Sequence, residues 1–200
     1  MSEQLQSDFD KLVKTSKFSS EEIKFKKNFL NNFIKNGFPN RKQEDWKFLD
    51  ISQIIKKNIS DLSFFNDYSQ SNKIDPSVLT DVLEHNKIIF INGKIEKIDF
   101  NFEDQNKIEI IDETKKDISF EYENSLIDLN SVFIDKIFKI LIKKNYSLKK
   151  PLIIYHLTND KIKSTNINLR LDFELGENSC LKLIDYFANN TAKNFINIFY

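Results

Sequence analysis

The side chains best suited to covalent or acid–base chemistry are few in this sequence of 200 residues. It contains two histidines, His85 and His156, and a single cysteine, Cys180. A Ser/His/Asp or Cys/His catalytic set would need one of these histidines, and neither lies in a recognisable nucleophile motif. We therefore expect His85 to close a helix, His156 to be a hydrogen-bonded strand residue, and Cys180 to be a small buried strand residue.

The adjacent acids Glu44 and Asp45 are the other candidates for acid–base chemistry. On a helix, neighbouring side chains point about 100° apart, so the two carboxylates cannot face one substrate bond as a pair. The simplest interpretation is a helix start at residues 41–47, in which Trp46 packs into the core and Arg41 pairs with Glu44 or Asp45.

Metal and phosphate sites leave recognisable spacings, and this sequence has neither CxxC nor HExxH. Glycine occurs only at Gly37, Gly93 and Gly176, so the Gly-rich loops that bind nucleotide phosphates are excluded. We predict no catalytic, cofactor-binding or metal-binding residue.

Composition narrows the class of partner. Lys+Arg and Asp+Glu are equal at 30 each, which removes the positive field that non-specific nucleic-acid binding requires. Apolar runs such as residues 88–91 are far shorter than the roughly 20 residues of a membrane span. The first residues resemble no signal peptide, and one cysteine suits a reducing compartment. We expect a cytoplasmic protein without nucleic-acid or membrane partners.

The elements that would position these side chains fall into two regions, a mainly helical one at residues 1–86 and a β-rich one at 87–200. In the first, Ser19 and Glu22 have capping-box spacing and Gly37 supplies a helix stop. A short helix is predicted at residues 50–57, with Ile51, Ile54 and Ile55 on its inner side. Another helix is predicted from Asp75-Pro76 to His85.

In the second region the apolar period changes from that of helices to that of strands. Asn92-Gly93 between two apolar runs predicts a hairpin with a type I′ turn. One helix at residues 124–135 is predicted among strands at 107–111, 138–142, 152–157, 167–175, 181–187 and 195–200. This series fits a solenoid, a sandwich or a barrel. Because it still runs at Tyr200, we expect the front portion of a longer protein.

Residues 37–50 read GFPNRKQEDWKFLD, which resembles the proline, basic pair, Glu-Asp-Trp-Lys and aromatic found near the start of SufD proteins. Further stretches follow the order of that family. Residues 90–94 resemble its Val-Asn-Gly hairpin, 128–133 its Leu-Asn helix, and 151–156 with 175–184 its proline-led strand and Leu-Gly-Glu-Asn turn. The resemblance runs from about residue 37 to 187.

Resemblance to the SufB/SufD family implies an α+β chain whose helical region is followed by the first coils of a right-handed parallel β-helix. It also implies a non-catalytic scaffold that acts with a SufB-like homologue and a SufC-like ATPase. The iron–sulfur cluster would be the product of that complex, with no cofactor bound by this portion. The family's contact residues lie in its carboxyl-terminal half, so none is carried over here.

Two other functions compete with the scaffold. One is a stand-alone interaction module whose open β edge recruits another chain by strand addition. The other is a hydrolase that uses His156. Turnover that is unchanged in His156→Ala would exclude the hydrolase.

Overall fold

The computed structural model describes residues 2–59, 61–65, 79, 82–113, 124–134, 136–159, 162–188 and 193–200. Within these residues the chain is α+β. Its helices are α1 (Ser2–Thr15), α2 (Ser20–Asn36), α3 (Ile51–Asn58) and α4 (Ser125–Phe133). Its strands are β1 (Asn86–Ile91), β2 (Lys94–Asp99), β3 (Ile108–Glu113), β4 (Ile137–Ile142), β5 (Leu152–Leu157), β6 (Asn166–Leu175), β7 (Leu183–Ala188) and β8 (Phe195–Phe199).

The ends of α2 are set by local chemistry, as predicted. The Ser19 hydroxyl accepts from the Glu22 amide and the Glu22 carboxylate accepts from the Ser19 amide, which completes a capping box. At the other end Gly37 adopts a φ of 67°, and its amide donates to the carbonyl oxygen of Phe33.

The smaller helical predictions fare less well. α3 forms, but only Ile55 is buried, whereas Ile54 remains 43% exposed. The helix predicted from Asp75-Pro76 lies mostly outside the described residues, and its described end, residues 82–85, is not helical. No described helix has both the length and the apolar character needed to cross a membrane.

The strands form two open sheets with the orders β2-β1-β5-β7 and β3-β4-β6-β8. From β5 onward, successive strands alternate between the sheets; β5 pairs in parallel with β1, and β6, β7 and β8 each pair in parallel with the strand two before them. At the far edges β2 and β3 run antiparallel to their neighbours. The predicted hairpin is confirmed, since β1 and β2 pair across Asn92 and Gly93, whose φ angles of 53° and 86° fit a type I′ turn.

The parallel β-helix expected from the family resemblance is therefore wrong. Its coils would stack strands in parallel on every face, whereas here two separate mixed sheets of four strands each remain open. The physical reason lies in the first strands. A local hairpin turn places β2 antiparallel to β1, and β3 pairs antiparallel with β4 across the intervening α4. The first parallel pair, β1 with β5, forms only later in the chain.

Three apolar clusters hold these layers together. The first joins α1, α2 and α4, so helices from both predicted regions share one core. The second fills the space between the two sheets, and a smaller third cluster lies on the outer face of β1 and β5. Removal of this apolar surface from water is the main stabilising contribution.

Two buried polar networks fix the layers more specifically. Glu103, 7% exposed, accepts hydrogen bonds from the Asn86 side chain, the Tyr146 hydroxyl and the amides of Lys149 and Lys150. On α4, the Asn130 side chain donates to the backbone carbonyls of Leu169 at 3.0 Å and Asn197 at 2.9 Å. The first network joins the loop after β2 to the approach to β5. The second joins α4 to β6 and β8.

Candidate functional site

Strands β7 and β8 are edge strands of the two sheets, and they lie together at the same end of the layered structure. The apolar side chains of β7 are unusually exposed for a sheet. The exposed fractions are 38% for Leu183, 42% for Ile184, 38% for Tyr186 and 53% for Phe187. Exposed edges with apolar side chains are places where a sheet can pair with another chain. We call this surface the β7/β8 edge.

A polar cluster lies at the β7/β8 edge, between the sheets. It combines His156 of β5, Asp185 of β7 and Tyr200, which follows β8. The His156 Nε2 atom lies 2.9 Å from Asp185 Oδ1 and 3.3 Å from Tyr200 Oη, and the Tyr200 hydroxyl donates to the same Asp185 oxygen. The cluster therefore bridges both sheets at their open ends.

Aromatic rings enclose the imidazole of this cluster. The His156 ring stacks on Phe90 at 5.8 Å and on Phe187 at 4.7 Å between ring centroids. Burial lowers the pKa of His156, and the Asp185 carboxylate only partly opposes this. Burial also raises the pKa of Tyr200, together with the hydrogen bond and negative charge of Asp185. The cluster thus favours neutral forms of both rings next to one carboxylate.

The predicted role of His156 as a hydrogen-bonded strand residue is confirmed. The prediction for His85 is wrong, because it lies in a non-helical segment where its ring contacts Leu83 and the Tyr155 hydroxyl. Cys180 is exposed instead of buried. Its backbone still pairs with the segment of Tyr146, so only its side chain departs from the expectation.

Asp185 and Tyr200 were not recognised from the sequence. The available signal was the charge in Leu-Ile-Asp-Tyr-Phe, since an acid at an inward-facing strand position needs a buried partner. His156 was the matching candidate. The two could be joined only by knowing that β5 pairs with β7, which places Ile154 opposite Asp185.

The Arg41 to Lys47 segment is not the core-anchored helix start that was predicted. Glu44–Trp46 forms a short 3₁₀ helix, and Trp46 is only half-buried. The described ion pair of this segment joins Glu44 to Lys47 at 3.1 Å, not to Arg41. Phe48 is 87% exposed. Within the segment that carries the family resemblance, Phe38 is buried in the first apolar cluster, whereas residues 41–49 lie on the surface.

A cleft of about 270 Å³ opens between the β1–β2 turn and strands β4 and β6. Its charged lining residues are Lys94, Asp112 and Lys136, and the last two form an ion pair at 2.6 Å. Across the part of the chain that the structure describes, no three His, Cys, Asp or Glu side chains group closely enough to hold a metal. A scan against protein-family models and a search of curated proteins find no match to this chain.

Proposed function

We propose that this chain is a non-catalytic scaffold subunit, or the amino-terminal portion of one, in a cytoplasmic SufBCD-type complex for iron–sulfur cluster assembly. Its partners would be a SufB-like homologue and a SufC-like ATPase. The proposal rests on the resemblance of residues 37–50 to SufD proteins. The observation that carries it is the surface position of residues 41–49, because this part of the motif lies outside the core that holds Phe38 and is available for contact with a partner.

The exposure of the segment supports this role. All residues of 41–49 are exposed except the half-buried Trp46. Phe48 is 87% and Leu49 is 42% exposed, and charged residues of both signs surround them. An aromatic anchor with a charged rim is the usual composition of a protein–protein contact. It is not what an apolar core or a catalytic cleft requires.

Co-expression tests the proposed function directly. The chain, with any coding sequence that follows the Tyr200 codon, should co-purify with a SufB-like protein and a SufC-like ATPase. Elution of the chain as a monomer in the presence of both partners would contradict the proposal. Assembly of an iron–sulfur cluster on the purified complex, but not on a complex without this chain, would then show that the chain acts as a scaffold.

A matched pair of variants tests whether the segment is the contact. Phe48→Asp should weaken co-purification by at least about tenfold, as expected for an aromatic hot spot. Val82→Asp alters a residue that is 92% exposed elsewhere and should leave binding unchanged. Equal binding by Phe48→Asp and wild type would place the contact outside this segment without excluding the complex.

The β7/β8 edge favours a second candidate, a stand-alone module that binds another chain by strand addition. It predicts self-association that increases with protein concentration in sedimentation velocity. Substitution of Ile198 would also disturb the core between the sheets, so Ile184→Lys on the outer face of β7 is the sharper test. Ile98→Lys on β2 is its control, since Ile98 and Ile184 are 43% and 42% exposed at opposite edges of one sheet. A monomer at all concentrations would exclude this module.

A further inference from the structure

The cleft of about 270 Å³ lies where β6 extends beyond its pairing with β4. On its β8 side, β6 is paired from Asn166 onward, whereas its pairing with β4 begins only at Leu171, opposite Phe138. Asn168 and Leu169 come before that point, and both line the cleft. The β1–β2 turn of the other sheet lines it too. The register of the strands therefore sets the position of this cleft.

Asn168 brings a buried hydrogen-bond donor to the cleft. It is 6% exposed, and its Oδ1 atom accepts from Asn197 Nδ2 at 3.2 Å. Because Asn197 Nδ2 also donates to the carbonyl oxygen of Leu126, the atom that faces Asn168 is a donor, and Asn168 must turn its oxygen toward β8. The Asn168 Nδ2 atom is then directed to the β4 side of β6, where the cleft lies. Within the described chain this costly buried donor has no acceptor, so it is available to a ligand.

Three charged side chains line the same cleft, namely Lys94 at the start of β2, Asp112 of β3 and Lys136 before β4. The ion pair of Lys136 with Asp112 is about half exposed, so its ammonium group keeps contact with solvent and with the open cleft. Two positive charges and one negative charge leave one net positive charge in the lining. This balance favours a ligand with a single negative charge over a cation or a dianion.

The apolar part of the lining and the volume of the cleft set the size of the ligand. Ile95, Phe138 and Leu169 supply apolar surface from both sheets. A dry cavity of about 150 Å³ is enough for benzene, whereas drug-sized ligands occupy about 300–1,000 Å³. A cleft of about 270 Å³ therefore has room for one ring with a small polar group, and not for a nucleotide or a lipid.

We propose that this cleft binds a small organic carboxylate with one negative charge and an apolar body of a single ring. A carboxylate oxygen accepts from Asn168 Nδ2, and the ammonium groups of Lys94 and Lys136 attract the negative charge. The apolar body contacts Phe138. A hydrogen bond to an ionised acceptor is stronger than one to a neutral acceptor, so Asn168 favours a carboxylate over an uncharged ligand of the same shape. Binding is reversible, and no covalent bond changes.

The test titrates the purified, isotope-labelled chain with benzoate and follows backbone and side-chain amides by heteronuclear NMR. Benzoate should shift the side-chain amide resonances of Asn168 and the backbone amide of Gly93 with one saturable dissociation constant. Benzamide has the same shape without the charge, and it should bind at least about tenfold more weakly.

Variants of the lining test which groups bind the carboxylate. Lys94→Met removes an exposed charge of the lining and should weaken benzoate binding by about tenfold. Lys143→Met removes the same charge at an exposed position after β4, outside the cleft, and should leave binding unchanged. Asn168→Asp keeps an oxygen for Asn197 but replaces the donor with a second oxygen, so it should abolish binding. Circular dichroism verifies that each variant is folded.

The absence of saturable shifts with benzoate up to about 10 mM would overturn the site. Equal affinities for benzoate and benzamide, or equal benzoate affinities of Lys94→Met and wild type, would overturn it as well. These two results do not depend on the folding of the Asn168 variant. The site goes beyond the proposed scaffold function, since a chain that binds benzoate but no partner, or the reverse, separates the two.

Discussion

The ammonium nitrogen of Lys26 lies 2.6 Å from the carbonyl oxygen of Ile134, although the two residues are 108 positions apart in the chain. It also approaches the carbonyl oxygens of Ser131 at 3.1 Å and Val132 at 3.2 Å. These carbonyls end α4, where backbone acceptors lack helical partners and the helix dipole is negative. A buried lysine of α2 therefore caps α4 and joins the amino-terminal helices to the β-rich part.

Lys26→Met should lower the free energy of unfolding by about 3 kcal/mol, because the apolar stem is kept while three buried carbonyls lose a charged donor. Urea denaturation followed by circular dichroism measures the change. Lys27→Met alters an exposed neighbour on the same helix and should stay within about 0.5 kcal/mol of wild type. Equal effects of the two substitutions would show that Lys26 does not cap α4.

Glu103 should make the free energy of unfolding depend on pH. Burial alone would raise its pKa, but hydrogen bonds donated by Asn86, Lys149, Tyr146 and Lys150 outweigh burial and hold the pKa below the ordinary 4.5. A depressed folded-state pKa contributes stability above the unfolded-state value, and that contribution is lost as pH falls through the folded-state pKa. Wild type should therefore lose stability progressively below about pH 4.5.

Glu103→Gln should flatten this acid dependence and lower stability at pH 7 by about 2 kcal/mol, because a neutral amide accepts more weakly and brings unmatched donors. Urea denaturation between pH 3 and 7 measures both effects. Glu109→Gln, at an exposed position of β3, is the control and should keep the wild-type pH profile. Asp8, whose pKa is also lowered, would keep some acid dependence in the Glu103 variant.

Loss of the Asn130 hydrogen bonds should destabilise the protein less than a substitution that places an acceptor against the same carbonyl groups. Asn130→Ala removes donors to the carbonyls of Leu169 and Asn197 and should cost about 2 kcal/mol. Asn130→Asp places a buried carboxylate against the same two carbonyls, so it should be more destabilising by at least about 1 kcal/mol at pH 7. The gap should narrow at low pH, where the aspartate can be protonated. Equal pH 7 stabilities would contradict this arrangement.

Gly176 and Gly37 should respond differently to alanine. A Cβ at Gly176 would lie 2.4 Å from the backbone nitrogen of Lys144, so overlap should cost about 3 kcal/mol or more. At Gly37 nothing lies within 4 Å, and only its φ of 67° is unfavourable, which should cost about 1 kcal/mol. Thermal unfolding of both variants measures the two losses of stability. A larger loss in Gly37→Ala than in Gly176→Ala would contradict the close approach at Gly176.

Local signals predicted the elements well. The strand predicted at residues 167–175, the Asn92-Gly93 turn and the Ser19 capping box depend on neighbours within a few residues, and each appears where predicted. Trp46 was misjudged because apolar character alone favoured burial, while the chain there forms a tight 3₁₀ turn on the surface. Cys180 was misjudged for a similar reason, since a paired backbone does not require a buried side chain.

The sheet topology and the cluster of His156, Asp185 and Tyr200 could not be predicted from the sequence. Both depend on pairings between distant strands, such as Ile154 with Asp185, that periodicity does not specify. The family resemblance predicted a parallel β-helix, whereas the structure has two open mixed sheets with antiparallel strands at one edge of each. Side chains that meet only after two sheets assemble leave no short spacing in the sequence to recognise.

The alternation of strands between the sheets has a consequence for folding during synthesis. Strands β6, β7 and β8 each pair with a strand made earlier, namely β4, β5 and β6. The pairing partner of each new strand has thus already been synthesised, and none of these strands has to insert between two strands that are already paired. The order of translation is then also a productive order of assembly, with both sheets growing in step at one end.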